Sequence, residues 1–415
     1  MLLLERFLRK FLYVGRLTVI DSDNRRYRFG EAHADGPDVT VTLKSRRLPW
    51  KLLFHPGLYL GEAYMDGSLE LNQGTVWDLL DLCGRNMALH APHNRGVLLR
   101  MAIRIFQRLT QWNSLRRASQ NVAHHYDLAR DLYESFLDSD MQYSCAYFTS
   151  PQSKLDDAQT AKRTHLAAKL LLRRNQRVLD IGSGWGGLAI DLARRAQVRV
   201  DGITLSQEQL VLASERADAA GVGEDVRFHL QDYRTLQGRY DRIVSVGMFE
   251  HVGVPFYPTF FAKIRELLAP DGVAVVHSIG SMDGPGIGNA WIRKYIFPGG
   301  YIPALSEVLP VVEASGLVVT DIEILRLHYA ETLRQWRQRF LANWETIRSL
   351  YDERFKRMWE FYLAASEMAF RHGGLMVMQL QLAKDQTAVP LTRDYIYEFE
   401  HFQPLPASVP QSCQA

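Results

Sequence analysis

Cysteine is scarce in this chain. Three occur in 415 residues, Cys83, Cys145 and Cys413. So odd and sparse a set provides no disulfide framework and fits a reducing cytoplasm. Long apolar runs are missing too. No stretch of about 18 uncharged apolar residues appears, which excludes a polytopic membrane protein. There is no internal repeat, and no Gly-x-Ser-x-Gly elbow of the kind that exposes a hydrolase serine. His124, His125 and His251 lack a second Cys or His pair at zinc spacing, so no metal site is expected. Apolar residues are plentiful, at 47% with 23% charged. That balance excludes wholesale disorder, and the length suits two or three domains.

The formal net charge is only +3, but it is unevenly spread. Residues 1–120 hold 18 Lys and Arg against 11 Asp and Glu, and the remainder 31 against 35. A basic face attracts nucleic acid or anionic lipid, and charge alone does not choose between them. The first residues do not read as a secretory signal: Glu5, Arg6, Arg9 and Lys10 interrupt the apolar run, and no small-residue cleavage site follows. Leu4, Phe7, Leu8, Phe11 and Leu12 instead form one helical stripe with cations opposite. Two readings stand: a helix packed on its own domain, or one lying in a membrane interface.

Three sections follow one another. Residues 15 to about 75 are strand-rich, as in Arg16–Ile20 and Val39–Leu43, with Gly61–Gly67 as a structured loop or short helix. From about Val76 to Gln120 the pattern turns helical, and the polar, basic run Asn113–Gln120 reads as a linker. Beyond it strands alternate with helices, which calls for a parallel sheet. The expected organisation is a smaller α+β domain over 1–112, a linker at 113–122, a doubly wound α/β domain over 123–400 and a loose tail over 401–415. Five strands are predicted in the α/β domain: Arg177–Ile181, Val198–Thr204, Val226–Leu230, Tyr240–Val246 and Val273–His277.

Gly182, Gly184 and Gly187 satisfy a G-x-G-x-x-G pattern between the first of these strands and its helix. Such glycines let the backbone turn sharply and approach a ligand. The pattern alone also describes a dinucleotide site. Asp180, two residues before the first glycine, favours a cationic ligand such as the ammonium and sulfonium of S-adenosyl-L-methionine, and would repel a pyrophosphate.

Val178–Leu188, carrying that loop, resembles the first motif of S-adenosylmethionine-dependent methyltransferases, in particular of cyclopropane-fatty-acyl-phospholipid and mycolic acid cyclopropane synthases. His125–Leu128, Met141–Phe148, Gly202–Ser206 with Gln209, Gly247–Gly253, Lys294–Gly300 and Glu353–Met358 also match that family, in order. The resemblance implies a Rossmann-like methyltransferase sheet behind a lipid-binding N-terminal domain. It implies donor contacts at Tyr143, Ser144, Asp180, Gly182, Gly184, Gly187, Thr204, Leu205 and Gln209, with Asp232 and Tyr233 beside the adenine. Many methyltransferases end the second strand on an acidic residue for the ribose; here Thr204-Leu205 stand there, as in this family.

The same resemblance implies cyclopropane formation on unsaturated phospholipid, with bound bicarbonate as the base, held by Cys145 (through its backbone), Gly247, Glu250, His277 and Tyr329. Rings near in sequence, Tyr147, Phe148, Phe249, Phe256, Tyr257 and Tyr301, are candidates to steady a cation. A cysteine that some family members carry in the C-terminal helix is matched by Ser366. The implied partners are an anionic membrane, not nucleic acid, and a second copy in a homodimer. The implied location is cytoplasmic, peripheral on the inner face of the membrane. A methyl-branched or methylated unsaturated product, a small-amine methyltransferase and a non-catalytic lipid-binding relic are the alternatives.

Overall fold

The computed structural model describes residues 1–31, 36–90 and 129–402. The segment read as a linker, His124, His125 and the matching motif at 125–128 therefore lie outside the described residues, as do 403–415. The helix Asp394–Phe402 occupies the first two positions of the segment read as tail.

Near the N-terminus, β1 (Arg16–Ile20), β2 (Arg26–Gly30), β3 (Asp38–Leu43) and β4 (Leu69–Gln73) form a sheet in the order β2-β1-β3-β4. Alternate residues of β1 and β3 point inward, as period-two alternation requires: Leu17 and Val19 meet Val39, Val41 and Leu43 in one core. The helix Leu2–Phe11 joins this core through Leu4, and Leu12 just beyond the helix is buried there as well. The stripe thus packs on its own domain, yet Leu2, Leu3 and Phe7 stay exposed.

The second sheet has seven strands: β5 (Arg177–Ile181), β6 (Arg199–Thr204), β7 (Val226–Leu230), β8 (Tyr240–Val246), β9 (Leu268–Ser281), β10 (Val318–Leu325) and β11 (Leu375–Ala383). Their order is β10-β11-β9-β8-β5-β6-β7. Strands β5 to β9 are parallel, and β11 runs antiparallel between β9 and β10. Two points differ from expectation. The sheet gains β10 and β11, and β9 does not stop at His277. It runs four residues further because β11 pairs with it from Val273 to Ser281. His277 consequently lies inside the strand, with its carbonyl accepting from the Gly247 N–H at 2.9 Å. Among the described residues no helix is long and apolar enough to cross a membrane.

The two sheets are joined through helices. Gly61–Met65, part of the segment read as a loop or short helix, ends the helix Pro56–Met65. That helix packs on Glu353–His372 and on Ala290–Tyr295. Gly61 allows the approach. A Cβ there would lie 2.5 Å from the Trp291 Nε1 and 2.8 Å from Phe361, closer than real contacts allow. Around it, Lys294 donates to Glu62 at 2.7 Å and the Tyr64 hydroxyl to Glu360 at 2.8 Å. Glycine costs a helix roughly 1 kcal/mol against alanine, but Trp291 is fully buried and cannot retreat. Gly61→Val should therefore lower stability by about 1–3 kcal/mol, the usual range for overpacking. Urea unfolding of both proteins measures this.

Candidate active site

Two cavities open beyond the carboxyl ends of the parallel strands, where ligands bind in open α/β sheets. Their empty volumes are about 1300 and 1240 Å³ with open solvent included, so each can hold more than a few waters. The first is lined by Tyr143, Ser144, Asp180, Gly182, Gly184, Gly187, Thr204, Leu205, Gln209, Asp232 and Tyr233, all eleven residues implied for the donor. The second is lined by Cys145, Gly247, Glu250, His277 and Tyr329, all five implied for the base. Tyr143, Ser144, Gly247 and His251 line both, forming a partition between them.

The first cavity is a glycine-floored slot. Gly182 and Gly184 have φ of +85° and +54°, a region that favours glycine, and nothing lies within 4 Å of where a Gly184 Cβ would stand. Across the slot, Thr204 donates to Gln209 Oε1 at 2.7 Å, and Ser206 caps the helix Gln207–Ala219. The Asp232 carboxylate takes up Arg234 instead, at 2.7–2.9 Å. Asp180 is fully buried, and its Oδ2 has no hydrogen-bond partner among the described residues. Burial raises its pKa to about 7, against the opposing pull of the Lys162 charge. An orphaned buried carboxylate at a slot calls for a cationic ligand.

In the second cavity, Glu250 Oε1 accepts from the Ile279 N–H at 2.7 Å, while the buried Oε2 has no partner among the described residues. Burial pushes this carboxyl up to about 7. His277 is depressed to about 3, first by burial and then by the Lys162 charge, so its ring is neutral at working pH. The Gln379 amide donates to its Nδ1 at 3.1 Å, leaving Nε2 as the N–H of that ring. The Cys145 thiol is wholly buried, and burial raises its pKa far above the usual range. That argues against a nucleophile, while its backbone N–H has no acceptor among the described residues.

The structure corrects the choice of rings. Of the six nearby in sequence, only Tyr301 lines the second cavity. Phe249 and Tyr257 stack on each other at 4.4 Å in the core below, and Tyr147 stacks between His165 and His328. The aromatic wall comes instead from Tyr143, Phe297, Tyr329, Tyr362 and Phe370, gathered from distant segments. Ser366 lines the same cavity, so the cysteine that some relatives were expected to carry there is replaced by a hydroxyl. Sequence reasoning also missed Lys162. Fully buried, it donates to Gln142 Oε1 at 2.6 Å and Ser144 Oγ at 2.9 Å, behind the partition. No motif marks it; only a lysine on the apolar face of the helix Leu155–Lys169 could have drawn notice.

A family model described as mycolic acid cyclopropane synthetase matches residues 113–380. The chain belongs to that family. It is an S-adenosylmethionine-dependent methyltransferase. Cyclopropane-fatty-acyl-phospholipid synthase of Escherichia coli (strain K12) is 40% identical over 355 residues, 86% of this chain and 89% of that one. Tuberculostearic acid methyltransferase UfaA1 of Mycobacterium tuberculosis is 41% identical over 286 residues, 66% of this chain and 67% of that one. Among solved structures of the family, mycolic acid cyclopropane synthase CmaA1, complexed with SAH and CTAB, superposes with a TM-score of 0.60 at 32% identity. That match covers 64% of this chain and 97% of CmaA1. The family's fold is therefore shared.

Proposed function

We propose that this protein transfers a methylene from S-adenosyl-L-methionine to the cis double bond of an unsaturated acyl chain in membrane phospholipid, forming a cyclopropane fatty acyl chain. The observation that carries the reading is the meeting of a donor slot with an aromatic-walled cavity whose one buried acid, Glu250, has a free oxygen. The cyclopropane-fatty-acyl-phospholipid synthase among its relatives supports the substrate class.

The donor supplies an electrophilic methyl group. Asp180 receives its ammonium, and the open floor at Gly184 lets it lie close. An alkene is a poor nucleophile, so alignment and exclusion of water carry much of the rate. As the S–CH₃ bond breaks and a C–C bond forms, positive charge appears on the other alkene carbon. Tyr143, Tyr329, Tyr362 and Phe370 line that cavity, and aromatic rings there can steady the charge without bonding to it. A neutral His277 adds no opposing cation. The ring closes when the added methyl gives up a proton and the C–H pair forms the third bond.

Bicarbonate would supply the proton acceptor there. The residues fit it: among the described residues Glu250 Oε2 lacks a partner and the Cys145 N–H is unclaimed, and Gly247, His277 and Tyr329 complete the surround. A methyl-branched or methylated unsaturated chain is the second reading, favoured by the likeness to tuberculostearic acid methyltransferase. In that case the cation loses a proton from another carbon to give the methylated alkene, and a saturated methyl-branched chain requires a hydride donor from a separate reductase.

The N-terminal part is proposed to dock on an anionic bilayer, peripherally and from the cytoplasmic side. Exposed Leu2, Leu3 and Phe7 stand on a helix packed beside Leu48–Phe54, which exposes Trp50 and Phe54, with Arg6, Lys10, Arg47 and Lys51 among them. Methyl-labelled donor mixed with protein and monounsaturated anionic vesicles should put label in the acyl chain, with ring protons visible by NMR. Label in a head group or a small amine would end the reading. Flotation should weaken with salt and on neutral vesicles; indifference to both would remove the electrostatic part.

A further inference from the structure

The second cavity has a deep end and a mouth. Cys145, Glu250, His277 and Tyr329 are all buried, whereas Asn289 is the one exposed residue among the described residues of its lining. Arg293 follows Asn289 by one helical turn, its N–H bonded to the Asn289 carbonyl at 3.1 Å. It is the one Lys or Arg among the described residues of the lining. Its stem passes over Gly288, where a Cβ would lie 3.4 Å from Arg293 Cδ. The neighbouring Lys294 is neutralised by Glu62 at 2.7 Å, but Arg293 makes no ion pair among the described residues. Asn289 spends its side-chain oxygen on the N–H groups of Trp291 and Ile292, at 2.9 and 3.1 Å, so what it offers outward is its amide N–H₂. The mouth thus presents donors and one uncompensated positive charge. The loop before it exposes Met282 and Ile287, 58% and 57% accessible, as an apolar lip.

An apolar cavity with a cation at its rim fits an amphiphile whose tail goes in and whose anionic head stays out. A guanidinium offers a planar fork of N–H groups that matches two oxygens of one phosphate, and phosphate and carboxylate share that chemistry. We propose that Arg293, with Asn289, binds the anionic head of the acyl substrate at this mouth, and that the head is the phosphate of a phospholipid. The inference rests on the acyl-chain reading of the cavity and adds a specificity-determining residue to it.

The test compares the wild type with Arg293→Gln and Arg293→Lys in neutral detergent micelles, which hold the surface charge constant. Three monounsaturated substrates are presented: a phosphatidylglycerol, a diacylglycerol without phosphate, and oleate. For Arg293→Gln the KM for phosphatidylglycerol should rise about tenfold or more, with kcat and donor affinity unchanged. Arg293→Lys should recover part of the loss, and diacylglycerol should be handled alike by all three proteins. An unchanged KM for phosphatidylglycerol, or equal losses on phosphatidylglycerol and diacylglycerol, would overturn the proposal. A loss confined to oleate would overturn the assignment to phosphate. Failure of the wild type to label any acyl chain would instead overturn the reading beneath it.

Discussion

Replacing Glu250 with Gln is expected to lower turnover by about 10²–10⁴-fold, the range for losing a positioned proton-transfer group. Donor affinity should stay within about twofold, because Glu250 lines the second cavity and not the donor slot. Single-turnover label transfer and calorimetric titration with S-adenosylhomocysteine separate the two effects. The same variant should alter stability in the opposite sense. Burial raises the Glu250 pKa from 4.5 to about 7. Below pH 4.5 the folded and unfolded chains are both protonated, and the group is neutral in its effect. As pH rises from there, the unfolded chain ionises first, and folding loses up to roughly 3 kcal/mol by pH 8. Glutamine carries no such charge. Glu250→Gln should therefore unfold at higher denaturant than the wild type at pH 8, and at about the same denaturant at pH 4.5. Equal stability at both pH values would mean that Glu250 is not buried without compensation. Unimpaired turnover would remove it from the chemistry.

Asp180→Asn should weaken donor binding by about 30-fold or more at pH 8, the low end of what losing one partner of a buried charge pair costs. The pH profile carries more information than the loss. With its pKa raised to about 7, Asp180 becomes a carboxylate as pH rises through neutrality. Wild-type affinity for S-adenosylhomocysteine, which keeps the ammonium and lacks the sulfonium, should climb over that range. The Asn variant should give a shallower curve there. A parallel climb in both proteins would assign the pH dependence to another group, with buried Lys162, itself lowered to about 7, the first to examine.

Much of the frame was legible because its signals are local. The run Arg177–Ile181 is apolar and ends in glycines, and Val226–Leu230 and Tyr240–Val246 appear with the boundaries read from sequence. The slot followed from it, since strand ends and the loops after them converge in this topology. What escaped notice depends on tertiary pairing. Residues 375–383 carry Met376, Met378 and Gln379 as readily as any helix would, and β11 exists because β9 and β10 offer two open edges. The extra length of β9, and so the setting of His277, came with it. The aromatic wall could not be read either. Tyr143, Phe297, Tyr329 and the helix that carries Tyr362 and Phe370 are far apart in the chain, while Phe249 and Tyr257, which cluster in sequence, fill the core under the sheet. Lys162 was invisible for a related reason: a lysine on a helix reads as solvent-facing until the packing around it is known.

The helix Glu353–His372 has two employments. Tyr362, Ala365, Ser366 and Ala369 form part of the wall of the second cavity, while Phe361 and Glu360 receive the helix Pro56–Met65. Removing the first 90 residues would therefore do more than detach a tether. It would strip the outer support from the helix whose inner face lines that cavity, so a shortened chain should admit water there, and the proposed cationic intermediate should add water and lose a proton to give an alcohol where the intact chain closes its product.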